Sequence, residues 1–290
     1  MFVGGSDGNL KQYDSDGNMV NDFGKIHNGL IVDMDHINDN LLVAESDGSI
    51  KQYSIESQSE LGDWGNISEY GINSIAVSGI DSLYIVDCAG KVMLYSISLR
   101  QLIKVLEYDE HGAIEVLRAN AKYCFKTLTA GNLQQYTISD YVLFKDYGKC
   151  HNKTISAILI RKNYLFTADG EGCLKQWDWS TGNLVKDYGK VHDKGIFCIS
   201  SFGDWLVTGD NTGTLKKFSI GKKEEGEEFG KKYFDRGVRS VVVFKEKVFA
   251  VSARGTMKIF DLETGEVLKD LGTVSKAAAV MLLTHSSKGF

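Results

Sequence analysis

The sequence predicts an all-β protein in which seven four-stranded antiparallel blades form one closed ring, a β-propeller. Three observations support this fold class: a short motif recurs seven times, its copies are evenly spaced, and the two chain ends carry complementary parts of one blade. A repeat of about 40–45 residues built from short strands is typical of a propeller blade. We therefore expect residues 1–290 to form a single propeller domain.

The recurring motif is a glycine, any residue, an aliphatic residue, two further residues, an aromatic residue and then a small polar residue or aspartate. Successive motif glycines are 40, 42, 41, 41, 41 and 42 residues apart. Sustained helical spacing of apolar residues does not accompany the motif, which favours strands. We assign the motif to the third strand of each blade, strand c, and expect its aromatic ring to pack between blades. These aromatic residues are Tyr13, Tyr53, Tyr95, Tyr136, Trp177, Phe218 and Phe260.

Blade 6 illustrates how one repeat divides into four strands. Strand a is predicted at 196–200, strand b at 205–208, strand c at 214–219 and strand d near 227–229. Strands a and b are apolar at most positions, as expected for sheets that are covered on both faces. Blades packed face to face around a ring meet that condition.

The chain ends predict how the ring closes. The chain begins with a predicted strand b at 2–4 and ends with an apolar run at 277–283 that has the character of a strand a. The residues beyond Gly255 and those up to Gly8 together make one further period of 43 residues. We therefore predict that the C-terminal strand a pairs with N-terminal strands b, c and d. Such closure removes exposed sheet edges.

Composition narrows the classes of function. The net charge of −5 argues against nucleic acid as a partner. The five cysteines are odd in number and form no CxxC pair, which argues against a disulfide framework or a thiolate zinc site. The N-terminus lacks a signal-peptide pattern, and no 18-residue apolar run predicts a membrane span, so a cytoplasmic location is expected.

Several short motifs resemble the WD-repeat family across the whole chain. Trp177-Asp178 matches the signature dipeptide of that family, and Phe260-Asp261 is a close variant. A Gly-Lys-x-His segment precedes strand a in three repeats, in place of the Gly-His of the family. Its histidines are His27, His151 and His192.

The resemblance implies a buried hydrogen-bond network that joins this histidine to a Ser or Thr on strand b, an acid at the b–c turn and the aromatic residue of strand c. Because the constellation recurs in several blades, we interpret it as structural rather than as a catalytic triad. The expected members are His151, Thr167, Glu171 and Trp177 in blade 5, His27 and Asp47 in blade 2, and His192 and Thr208 in blade 6. Val43 and Tyr53 in blade 2, and Thr212 and Phe218 in blade 6, depart from the pattern.

The resemblance also implies a non-enzymatic scaffold that binds other proteins on the face formed by the d–a and b–c loops. A basic group on that face indicates an acidic or phosphorylated peptide as partner, because arginine suits such groups. Its residues are Lys231, Lys232, Tyr233, Phe234, Arg236, Arg239 and Arg254. Trp64 and Tyr70 form a second candidate on the same face.

The alternative function is an enzyme or small-molecule sensor that uses the central channel. It requires acids, histidines or metal ligands at the inward positions of strand a, which are predicted to carry Ile, Val, Ala, Ser and Leu. The cluster from Asp33 to His36 is predicted to enter a solvated turn. No catalytic residue, metal ligand or cofactor is therefore predicted.

Overall fold

Seven antiparallel sheets of four strands make up the protein in a computed structural model, which confirms the predicted seven-bladed all-β propeller. The structure describes residues 1–108, 114–220, 226–229, 234, 236–275 and 280–283, the last of these by their backbone only. Among these residues, no helix is long and apolar enough to cross a membrane.

The strands follow the chain in order, and each blade uses consecutive strands except for the first. Blade 1 combines β1 (Phe2–Gly5), β2 (Asn9–Tyr13) and β3 (Met19–Lys25) with β28 (Val280–Leu283). Blades 2 and 3 contain β4 (Ile31–Ile37), β5 (Asn40–Glu45), β6 (Ser49–Ser54), β7 (Glu60–Asn66), and β8 (Ile72–Ser78), β9 (Ser82–Asp87), β10 (Lys91–Ser96), β11 (Gln101–Tyr108). Blades 4 and 5 contain β12 (Ile114–Ala119), β13 (Tyr123–Leu128), β14 (Asn132–Thr137), β15 (Leu143–Lys149), and β16 (Ile155–Arg161), β17 (Tyr164–Asp169), β18 (Cys173–Asp178), β19 (Asn183–Lys190). Blades 6 and 7 contain β20 (Ile196–Phe202), β21 (Trp205–Asp210), β22 (Leu215–Ser219), β23 (Glu227–Phe229), and β24 (Val238–Phe244), β25 (Lys247–Ser252), β26 (Thr256–Asp261), β27 (Val267–Thr273).

The first blade contains strands from both ends of the chain. β28 pairs antiparallel with β1, and the register runs from Phe2 opposite Leu283 to Gly5 opposite Val280. The preceding part of the predicted strand, 277–279, lies outside the described residues. The innermost strand of blade 1 is thus C-terminal, and its outer three strands are N-terminal.

The motif glycines recur because the turn before strand c requires a left-handed backbone. All seven have φ between 75° and 100°. A Cβ atom on Gly48 would lie 1.9 Å from the carbonyl oxygen of Ser68, and one on Gly172 would lie 2.2 Å from that of His192. Since only glycine combines this conformation with so close an approach, the spacing of glycines records the spacing of blades.

Aromatic contacts between neighbouring blades follow one rule, as predicted. A ring on strand d of one blade meets the strand-c ring of the next blade edge-on, with centroids 5.5 to 5.9 Å apart and planes at 74° to 81° in four cases. Edge-to-face packing is the favourable arrangement for buried rings. The pairs are Phe23–Tyr53, Tyr147–Trp177, Tyr188–Phe218 and Phe229–Phe260.

Candidate functional site: the loop face and the central channel

Blade 5 holds a complete polar network beneath the loop face. His151 lies in the d–a loop, with Nδ1 3.1 Å from Asp169 Oδ2 and Nε2 2.8 Å from Thr167 Oγ1. The indole Nε1 of Trp177 donates to the same Thr167 oxygen at 2.9 Å. All four residues are buried. The network therefore joins the d–a loop to strands b and c without presenting a reactive group to solvent.

Asp169 is the acid of this network, so the expectation for Glu171 is wrong. Burial opposes ionisation of Asp169, but hydrogen bonds from His151 and from the backbone N–H groups of Cys173 and Glu171 outweigh it and lower the pKa of Asp169. Asp169 ends strand b and faces into the blade. Glu171 lies in the turn two residues later, where it is partly exposed and 3.8 Å from Lys153.

Blade 6 repeats the network with one donor fewer. His192 Nδ1 lies 3.1 Å from Asp210 Oδ2, and its Nε2 lies 2.7 Å from Thr208 Oγ1. Asp210 thus supplies the acid that the sequence interpretation had placed at position 212. Thr212 instead donates its hydroxyl to Asp210 at 2.8 Å. Phe218 replaces the tryptophan and brings no N–H group.

Blade 2 has an incomplete network. His27 Nδ1 lies 2.7 Å from Glu45 Oε2, whereas the buried Nε2 of His27 has no hydrogen-bond partner. Val43 stands where blades 5 and 6 have threonine, and it offers no hydroxyl. The expectation for Asp47 is also wrong, because its carboxylate accepts the backbone N–H of Ser49 at 2.8 Å in the exposed turn.

The acids that the sequence interpretation missed share one register position. Each ends strand b, three residues before the motif glycine, so counting back from that glycine identifies them. In blade 3 this position is Asp87, which accepts a hydrogen bond at 2.9 Å from Ser68 Oγ. These acids are Glu45, Asp87, Asp169 and Asp210.

Blade 4 uses a different buried polar contact. Lys126 occupies the strand-b position of the threonine, is fully buried, and lies 2.7 Å from Glu107 Oε1 of blade 3. The hydroxyl of Tyr141 donates to the other Glu107 oxygen at 3.3 Å, and the Lys126 ammonium lies 5.0 Å from the ring centre of Tyr136. An inter-blade ion pair thus takes the place of the histidine network.

The predicted partner-binding residues fall into separate environments. Arg236 and Arg254 are exposed on adjacent loops of blade 7, which are joined by a hydrogen bond from the N–H of Ala253 to the carbonyl of Gly237 at 2.7 Å. Tyr70 is also exposed, in the d–a loop that follows β7. Residues 231–233, which include Lys231, Lys232 and Tyr233, lie outside the described residues.

Two of the predicted partner-binding aromatics pack against core residues. Phe234 is 6% exposed, and its ring lies 6.1 Å from that of Phe260. Trp64 is on strand β7, with its ring 6.0 Å from Tyr95 of the next blade. Phe234 is buried and Trp64 is partly buried against the core of blades 2 and 3, so neither ring lies fully exposed on the loop face.

The central channel contains charged residues that the sequence interpretation did not place there. A cavity of about 410 Å³ is lined by the innermost strands of blades 2 to 7 and includes Asp33, Asp35, Arg118 and Arg239. Asp33 and Asp35 lie within β4, which continues to Ile37, so the prediction of a solvated turn is wrong. Arg239 is the second residue of β24 and belongs to the channel wall, with its guanidinium 4.8 Å from the ring centre of Phe197.

Asp33 and Arg118 connect the inner strands of three blades. Arg118 Nη1 of blade 4 lies 3.2 Å from Asp33 Oδ2 of blade 2. The same carboxylate oxygen accepts hydrogen bonds from Ser74 Oγ at 2.8 Å and from the N–H of Ile75 at 3.1 Å, both in blade 3. This shared contact crosses two blade interfaces.

Asp35 lies half-buried on the channel wall beside this ion pair. Burial raises the pKa of Asp35 to about 6, and the neighbouring Asp33 adds to the rise. Hydrogen bonds from the backbone of Val77 and His36 and the charge of Arg118 act in the opposite direction.

Within the described part of the chain, no group of three or more His, Cys, Asp or Glu side chains is arranged to hold a metal ion.

Comparisons with known proteins support the resemblance to the WD-repeat family. Residues 182–219 match the model described as WD domain, G-beta repeat; this segment runs from strand d of blade 5 to strand c of blade 6 and is one repeat of seven. A crystal structure of the computationally designed Ika8 protein superposes with a TM-score of 0.76 at 20% identity, over 98% of this chain and 87% of that one, and shows the shared fold. A comparison with curated proteins found no match.

The fold and these findings support a WD-repeat β-propeller. Propellers of this kind typically act as scaffolds for protein interactions and are generally not enzymes.

Proposed function

We propose that this propeller is a non-enzymatic scaffold that binds a protein partner on the face formed by its d–a and b–c loops. The observation that carries the proposal is the way this face is held. In blades 5 and 6 a histidine from the d–a loop is anchored in the blade by two hydrogen bonds. Loops fixed in this way lose little conformational entropy when a partner binds.

The burial of the histidine networks supports a structural role. His151 and Asp169 have side chains that are 0% and 1% exposed, so a substrate would not reach them. The same geometry occurs at His192 and Asp210. A repeated, inaccessible constellation fits loop anchoring better than catalysis.

An acidic or phosphorylated peptide is the partner that we propose for this face. Arg236 and Arg254 are exposed on adjacent loops of blade 7, and guanidinium groups bind phosphate and carboxylate through paired hydrogen bonds. The overall charge of −5 makes a local basic site more selective, since the rest of the surface repels an acidic ligand. We further propose a cytoplasmic location, where the reducing environment would maintain the five free thiols.

Charge reversal on the two faces tests the proposal. The Arg236→Glu/Arg254→Glu variant should lose about tenfold or more in affinity for an acidic or phosphorylated partner peptide, because charge-assisted hydrogen bonds contribute at this level. Partners would be identified by affinity capture from the native cell and confirmed as synthetic peptides in a binding titration.

The matched control reverses two cations on the opposite face. Lys122 and Lys162 lie in exposed a–b turns, and the Lys122→Glu/Lys162→Glu variant changes the net charge by the same amount. It should retain the affinity of the wild type. Equal binding by both double variants would exclude the loop face of blade 7 as the docking site.

A further inference from the structure

Two arginines of the central channel have N–H groups that donate no hydrogen bond to the described residues. Arg118 and Arg239 both line the cavity of about 410 Å³, from blades 4 and 7 respectively. Neither residue belongs to the anchored loops of the proposed protein-binding face. The site therefore stands independently of that function.

The carboxylates of the cavity are already occupied. Asp33 accepts the N–H of Met34 at its Oδ1, and Ser74, Ile75 and Arg118 at its Oδ2. Asp35 accepts the N–H of His36 at Oδ1 and that of Val77 at Oδ2. A ligand that donates hydrogen bonds would have to compete with these contacts.

The arginines, in contrast, retain free donors. Arg118 makes its three hydrogen bonds through Nη1 alone, to Asp33, Ser74 and the carbonyl of Leu117, and its side chain is 38% exposed. Among the described residues, its Nε and Nη2 groups have no acceptor. The guanidinium of Arg239 stacks on Phe197 and likewise has no hydrogen-bond acceptor in the described chain. Stacking leaves the N–H groups at the guanidinium edge available.

We infer that the central channel is a binding site for a small molecule that carries an oxyanion, a phosphate or carboxylate group, held by Arg118 and Arg239. The formal charges of the four charged residues in the wall cancel, so the selectivity for an anion arises from unused hydrogen-bond donors rather than from net charge. Phe197 adds an apolar ring at the same wall. A cavity of about 410 Å³ is within the range typical of small-molecule sites.

Sulfate is the probe for the test, because its charge is constant over the pH range in which the protein is folded. Binding to the full-length chain is measured by calorimetry, with chloride at equal ionic strength as reference. The Arg239→Gln variant should weaken sulfate binding about tenfold. Lys104→Gln, which removes the same charge from the exposed outermost strand of blade 3, should leave sulfate affinity unchanged within twofold.

A second variant separates hydrogen bonding from charge. Asp33→Asn/Arg118→Gln removes the ion pair without changing net charge and avoids leaving Asp33 as an unpaired buried carboxylate. It should also weaken sulfate binding. The inference is overturned if the wild type does not bind sulfate, if Lys104→Gln weakens binding as much as Arg239→Gln, or if the double variant retains full affinity.

An acidic partner peptide could also supply the anion. Two separate sites are shown if both channel variants lose sulfate binding while peptide binding still depends on Arg236. Loss of peptide binding in Arg236→Glu/Arg254→Glu together with unchanged sulfate binding supports both proposals, and failure of one leaves the other standing.

Discussion

Blades 5 and 2 hold the same histidine in two different environments. In blade 5 both ring nitrogens of His151 are paired, with Asp169 and Thr167. In blade 2 His27 is paired with Glu45 through Nδ1 only, and its Nε2 is buried without a partner. The two sites differ at the strand-b residue, threonine in one blade and valine in the other. The hydroxyl of Thr167 thus supplies the second hydrogen-bond partner of the histidine in blade 5, which Val43 cannot supply in blade 2.

The comparison teaches that the anchoring of loops varies around this ring. In blades 5 and 6 both ring nitrogens of the histidine are paired, and in blade 2 only Nδ1 is, although the N–H of Gly29 in the same d–a loop also donates to Glu45. Blade 4 has no such histidine in its described residues and has the Lys126–Glu107 ion pair between two strands instead. An unsatisfied buried polar atom lowers the free energy of unfolding, so the unpaired His27 Nε2 makes the blade 2 site less stable than the same site with that nitrogen paired. The difference can be tested by exchanging the two strand-b residues.

The Thr167→Val variant makes blade 5 resemble blade 2 and should have the largest effect. It removes the acceptor of the Trp177 indole and the partner of His151 Nε2, and leaves two buried polar atoms unsatisfied. The free energy of unfolding should fall by about 2–4 kcal/mol, as measured by urea denaturation. The matched variant Thr208→Val in blade 6 should cost less, because Phe218 provides no donor there. Equal losses in both blades would show that the Trp177 hydrogen bond contributes nothing.

The pH dependence of stability separates Asp35 of the channel wall from Asp169 of the blade 5 network. Burial raises the pKa of Asp35 to about 6 from an ordinary 3.8, so this group favours folding at acidic pH, and its contribution is lost as the pH rises through about 6. The loss amounts to at most about 3 kcal/mol. Asp35→Asn should therefore flatten the decline of unfolding free energy between pH 4 and pH 7.

Asp169→Asn is the control with the opposite sign. Its lowered folded-state pKa means that Asp169 stabilises the protein above its unfolded-state pKa, and that this contribution disappears as the pH falls through its folded-state value. The variant should lose stability at neutral pH and show a flatter acid limb. If the free energy of unfolding changed with pH in the same way in Asp35→Asn and Asp169→Asn, the opposite pKa shifts of the two acids would be contradicted.

The Val43→Thr variant makes blade 2 resemble blade 5 and should have the smallest effect. The new hydroxyl should donate to His27 Nε2, which is unsatisfied in the wild type, and raise the free energy of unfolding by about 1 kcal/mol. Val207→Thr is the control, since Val207 is fully buried among apolar residues of blades 6 and 7. That hydroxyl has no histidine to meet, so destabilisation of about 1–3 kcal/mol is expected. A loss of stability in Val43→Thr would show that its hydroxyl does not reach the ring.

The sequence by itself determined the architecture of the propeller. The motif glycines need a left-handed backbone with no room for a side chain, so their spacing counts the blades directly. The strand-c aromatics and the histidines were also recognisable, because each recurs at the same offset from its glycine. Features imposed by the geometry of every repeat leave a periodic trace in the chain.

Only the tertiary structure decided which acids complete the networks and what lines the channel. Asp169 and Glu171 are two residues apart, and the turn between them determines which one faces the histidine. Asp33, Ser74 and Arg118 lie about one blade apart in sequence and meet only when the ring brings neighbouring inner strands together. Among the described residues, this contact does not recur from blade to blade, so no periodicity in the sequence reveals it.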